Sequence, residues 1–116
     1  MTIDGNVAYI KSLSSEDALR IIKDVIRDSS KVFFKHHAKE QMVARSVTRP
    51  QVIDCLERCR FFEEPFWSPG HRNWQMTVEA PSMDDWLRVA LSLNNTTEDE
   101  GEANYIAVIT VIRVEN

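Results

Sequence analysis

The hydrophobic period of this chain changes near residue 60, and that change limits the folds open to it. Before it, apolar residues recur at helical spacing; after it, they alternate one by one with polar residues. Ala18, Leu19, Ile22, Val25 and Ile26 follow the hydroxyl and acidic residues Ser14-Ser15-Glu16-Asp17, the start signal of a helix. His37 to Arg45 reads as a second helix, with Ala38 and Met42 on its apolar stripe. Thr48-Arg49-Pro50-Gln51 fits a capping box with proline in the first turn. A third helix then buries Val52, Ile53, Leu56 and Cys59. Between the first two helices, Lys31 to Lys35 is either a brief strand or the lead-in to the next helix.

Beyond residue 60, Phe61 to Trp67 is extended, and Pro65 places it at an edge or a bulge. Ser68-Pro69-Gly70-His71 is a turn. Trp74, Met76 and Val78 alternate with Asn73, Gln75 and Thr77, and Leu87, Val89, Leu91 and Leu93 alternate with Trp86, Arg88, Ala90 and Ser92. Tyr105 to Val114 is apolar and β-branched enough for a well-covered central strand. Asn94 to Asn104 reads as a polar, acidic hairpin loop. The expectation is one α+β domain over 1–116: N-terminal helices packed on a roughly four-stranded, mainly antiparallel sheet. Residues 1–30 form a helical extension and 31–114 the core. A chain of 116 residues has no room for a second core.

Charge narrows the partners. Residues 31–75 carry eight Lys/Arg against five Asp/Glu, while residues 76–116 carry two against eight. The net charge of −4 argues against indiscriminate nucleic-acid binding, yet a basic face on an acidic body can bind selectively. No apolar run approaches the roughly 18 residues of a membrane span. The N-terminus lacks the basic start and apolar block of a signal peptide, so an intracellular, cytoplasmic location is the default expectation. Cys55 and Cys59, four apart, suit neither a zinc knuckle nor a Cys-x-x-Cys motif and read as reduced, partly buried thiols. The three glycines are not clustered, which excludes a phosphate-cradling loop, and no cofactor is implied.

The stretch with chemical promise is Phe33 to Val52. On a helix, His37, Gln41 and Arg45 share one stripe. A histidine moves protons near neutral pH and an arginine offers phosphate a fixed fork of donors. Metal-free RNA cleavage needs a base, an acid and cations for the phosphorane charge. His37 fits the base, His71 or Tyr105 the acid, and Arg45 the neighbouring cation. Arg49, Arg72 and Arg88 are further RNA-binding candidates, with Trp74 or Trp67 to stack a base. Each has a structural counterpart: His37 as a helix-start cap, Arg45 paired with Glu40 or Glu57 or bonded to helix-end carbonyls, His71 and Arg72 as solvated turn, Tyr105 as strand packing. Zinc ligation by His36, Glu40 and His71 lacks a recognisable ligand spacing.

The order His37-Ala38-x-x-x-Met42-x-x-Arg45-x-Val47, followed by a helix and then strands, resembles an uncharacterised bacterial domain family. That family is marked by a His-Ala-x-x-Arg-Met-x-x-Arg-x-Ile motif and grouped with RelE/ParE-like toxins in the barnase–EndoU–colicin–RelE fold. The likeness runs from about Phe33 to Ile112 and includes Gly70-His71-Arg72-x-Trp74 and Leu87-Arg88-Val89. It implies a toxin-like RNA endonuclease or RNA-binding protein, neutralised by a small antitoxin. Gln41 stands where the family usually has arginine, so one phosphate ligand is replaced. The alternative is a non-catalytic protein-interaction module on the same fold.

Overall fold

The computed structural model describes residues 13–96 and 103–114. Helix α1 (Ser15–Val25) starts where Ser14 Oγ accepts the Asp17 N–H. It ends before a single 3-10 turn at Ser29–Lys31. Strand β1 (Val32–Phe34), helix α2 (His36–Arg45) and helix α3 (Arg49–Arg58) follow. Four strands complete the chain: β2 (Arg60–Ser68), β3 (Asn73–Ser82), β4 (Asp85–Thr96) and β5 (Ala103–Val114).

The α+β class stands, but the sheet has five strands rather than four, and it is mixed. Its order is β1-β5-β4-β3-β2. β2 to β5 form an antiparallel meander, and β1 joins β5 in parallel, Val32 beside Ile106 and Phe34 beside Val108. Three residues carry no readable period, which is why Lys31 to Lys35 was ambiguous in sequence. β5 is therefore next to the edge and β4 is central. The expected loop at Asn94 to Asn104 is also narrower: Asn94, Asn95 and Thr96 continue β4, Ala103 and Asn104 open β5, and residues 97–102 lie outside the described residues.

All three helices cover one face. Ile22 from α1, Ala38 from α2, and Val52 and Leu56 from α3 join Met76, Val78, Leu87, Val89, Leu91, Ile106 and Val108 in one apolar cluster. Full burial of each larger aliphatic side chain contributes about 1.5–3 kcal/mol. α1 thus belongs to the core, and Ser15 Oγ ties its start to Glu64 of β2 at 2.7 Å. The capping box at α3 forms in both directions: Gln51 N–H donates to Thr48 Oγ1, and Thr48 N–H to Gln51 Oε1. A bulge leaves Ile109 unpaired, which lets Val108 and Val111, three apart, both turn inward.

α2 lies where β1 stops. β5 outruns its three-residue partner, and α2 meets the exposed strand edge with polar groups. Gln41 Oε1 accepts the Val111 N–H at 2.8 Å, and Arg113 donates to the Arg45 carbonyl at 3.0 Å. The helix closes in a left-handed residue, Ser46, with the Val47 N–H donated to Met42 C=O. No helix among the described residues is long and apolar enough to cross a membrane.

Candidate functional site

The residues proposed from sequence do not converge. His37 is exposed in the first turn of α2 and Arg45 is its last residue. Eight residues of helix separate them by about 12 Å, and Gln41 between them is committed to β5. His71 sits in the β2–β3 turn at the far edge of the sheet, its Nδ1 hydrogen-bonded to Ser68 Oγ at 2.9 Å. Tyr105 stands on β5 with its ring edge-on to Phe33, centroids 5.5 Å apart. No single phosphate can touch His37, Arg45 and His71 in this arrangement.

The RNA-binding candidates divide similarly. Arg49 is spent internally, donating to the carbonyls of Ser29 (2.6 Å) and Val32 (3.2 Å) while stacked on Phe34. Trp74 is on the helix-covered face, only 6% exposed, against Trp67. It cannot present its ring to a base, and its indole N–H has no hydrogen-bond partner among the described residues. Arg88 is on the opposite face, pinned to Glu79 Oε1 through Nε and Nη2 and lying 3.7 Å over the Phe62 ring. Arg72 is exposed in the β2–β3 turn, in a left-handed conformation (φ 56°). His36 pairs with Glu40, and among the described residues no group of three His, Cys, Asp or Glu is placed to hold a metal. Cys55 and Cys59 are free and fully covered; burial pushes their thiols up to about 12 and about 11.

What the fold presents instead is the sheet face that no helix among the described residues covers. Alternation sends Phe33, Tyr105, Asn94, Ser92, Asn73, Gln75 and Phe66 to this face at one end of the strands. Phe33 is 54% exposed and Phe66 49%. Lys31 and Lys35, both exposed, flank Phe33, and Arg72 immediately precedes Asn73. Between the aromatic groups runs a row of hydrogen-bonded amides. Asn94 Nδ2 donates to Ser92 O and Oγ, Asn73 Nδ2 to Asn94 Oδ1 at 2.9 Å, and Gln75 Nε2 to Asn73 Oδ1 at 3.2 Å.

The other end of this face is locked. Glu79, 8% exposed, accepts from Trp86 Nε1, Arg88 and Arg60. Burial pushes its carboxyl up, and the hydrogen bonds from Trp86, Arg88 and Arg60 outweigh it, so its pKa falls below the usual glutamate value. The two guanidiniums also stack on aromatic rings, Arg60 on Trp86 and Arg88 on Phe62. Beside this cluster is an open cleft of about 460 Å³ between the β3–β4 turn and the end of β5, lined by Asp84, Asp85 and Arg113 among others. Its two carboxylates disfavour an anionic ligand.

Sequence reasoning passed over Phe33, Phe66, Asn73, Gln75 and Asn94. The signal was present: asparagine is depleted in strands, yet Asn73 and Asn94 stand on adjacent strands on one face. No family model, characterised protein or solved structure matches this chain.

Proposed function

We propose that this protein binds single-stranded RNA across the uncovered face of its sheet, without cleaving it. The observation that carries this reading is the exposed Phe33, packed edge-on against the half-buried Tyr105 on the uncovered face, bordered by Lys31 and Lys35 and continued by the amide row. Aromatic rings on a sheet surface stack unpaired bases, and bordering cations neutralise the backbone between them. The five strands span about 19 Å from β1 to β2 at ordinary strand spacing, wide enough for several nucleotides. Single strands fit better than duplex, because a duplex hides the base faces that Phe33 and Phe66 would meet.

Cleavage is left out because His37 and Arg45 stand about 12 Å apart at the two ends of α2, and His71 lies at the opposite edge of the sheet. The toxin-like role that the resemblance implies thus reduces here to its RNA-binding half. A second reading, a protein-interaction module on the same face, draws on the exposed Phe62, Phe66 and Ile112.

Fluorescence anisotropy with a labelled mixed-sequence RNA octamer tests the proposal. Binding is expected, with a loss of about tenfold or more in Phe33→Ala, since each stacked base contributes about 1–3 kcal/mol. Circular dichroism on the variant shows whether the fold is kept. No binding by the wild type would discard this reading in favour of the protein module. RNA cleavage in excess EDTA that disappears in His37→Ala would restore the endonuclease.

A further inference from the structure

The uncovered face arranges its exposed rings and its unpaired charges in rows that match end to end. One row crosses all five strands: Phe33 stands beside Ala107, Ala107 beside Ser92, Ser92 beside Gln75, and Gln75 beside Phe66. Its two ends are exposed phenyl rings, while Ala107 and Ser92 in its middle are buried. The next row runs Thr110, Ala90, Thr77 and Glu63. Lys35 closes it on the β1 side, held there by its N–H to the Val108 carbonyl. Alternation from Phe33 turns Lys35 to this face, and Thr77 Oγ1 holds Glu63 on it at 2.9 Å. Both are exposed, and neither has an ion-pair partner among the described residues.

We infer that a second copy of this chain packs on the uncovered face about a two-fold axis running along β4, and that this dimer competes with RNA. β4 is the middle strand, so rotation about it lays β1 of one copy over β2 of the other. Levels along the strands are kept, so each Phe33 meets the second copy's Phe66, and each Lys35 its Glu63. Each match occurs twice, as an isologous contact requires. A two-fold axis across the strands would instead lay β1 on β1, setting Lys31 and Lys35 against the same lysines of the second copy. Charge therefore selects the axis along β4. Sheets packed face to face stand about 10 Å apart with strands within about 30° of each other. Two phenyl rings fill that gap, and the small Ala90, Ser92 and Ala107 do not obstruct it. The face measures roughly 19 by 35 Å at ordinary strand spacing and rise, slightly less than the roughly 800 Å² that a partner gives to a standard interface. The dimer is accordingly weak enough for RNA to displace. The competition rests on the RNA-binding reading above; the dimer itself does not.

Sedimentation equilibrium of the full chain across micromolar concentrations, repeated with the RNA octamer, tests both parts, with circular dichroism as the control for folding. A monomer–dimer equilibrium is expected for the wild type. Glu63→Lys and Lys35→Glu are each expected to weaken it about tenfold, since each turns two ion pairs into two repulsions. The double variant, which swaps the charges, is expected to restore it. Saturating octamer is expected to convert the dimer into complexes of one chain each. A wild type that stays monomeric throughout would overturn the dimer and leave the RNA-binding reading intact. A dimer indifferent to both charge reversals, or one that the double variant fails to restore, would rule out this axis. Octamer bound to an intact dimer would rule out the competition. A dimer that forms while no octamer binds would remove the RNA-binding reading, and the competition with it, while the two-fold contact stands.

Discussion

Glu79 organises the locked end of the open face as a single residue. A carboxylate on a strand is ordinarily solvated, but this one is nearly covered and is matched by an indole and two guanidiniums. Because its native pKa lies below the ordinary 4.5, its contribution to stability is complete above that value. It is lost as the pH falls through the lower native value. Glu79→Gln, which keeps the shape and removes the charge, is expected to cost roughly 1–3 kcal/mol near neutrality. Urea denaturation of both proteins between about pH 7 and about pH 3 checks the sign, since the difference must shrink in acid. A difference that stays constant would mean that the carboxylate charge contributes nothing to the cluster. The same network explains why Arg88, an RNA-binding candidate from sequence, is held by the single carboxylate of Glu79 and by the Phe62 ring.

At the level of elements, the joint between α2 and β5 does most to define the β1 side of the sheet. Val111 is fully buried and its N–H lies beyond the reach of β1, so Gln41 must accept it from the helix. Gln41→Ala is expected to destabilise the protein by about 1–3 kcal/mol, the cost of a buried donor left unpaired. The measurement is chemical denaturation combined with hydrogen exchange at Val111; unchanged protection of that amide would refute the role. Arginine, the resembling family's usual residue here, has no acceptor and could not replace it. The helices and the antiparallel strands were legible because each carries a sustained period or a complete cap, as Thr48 and Gln51 do. β1 was not, because Val32 to Phe34 is set by pairing with a strand far away in sequence. The site was legible only in part. Alternation put Asn73 and Gln75 opposite Trp74, and so already separated the polar face from the buried tryptophan. The linkage of Asn73 to Asn94 depends on the β3–β4 register, which no single strand reveals.

For the molecule as a whole, an acidic chain that binds RNA should do so with few ionic contacts. The path across the open face is bordered by Lys31, Lys35 and Arg72. Three neutralised phosphates on a single strand give a slope of about −2 for log affinity against log salt concentration. Titrations across a salt series test this directly. A slope steeper than about −5, which needs about seven neutralised phosphates, would exceed what these three cations can supply and overturn the assigned path. The parallel pairing of β1 adds a consequence in time rather than in space. Each hairpin of the meander joins strands that are neighbours in sequence, whereas Val32 finds Ile106 only by closing about seventy residues of chain. The surface assigned to RNA is thus completed by the outermost and most distant strand. A newly made chain can hold the amide row before it holds the Phe33–Tyr105 pair, so the complete surface proposed for RNA is among the last features that folding assembles.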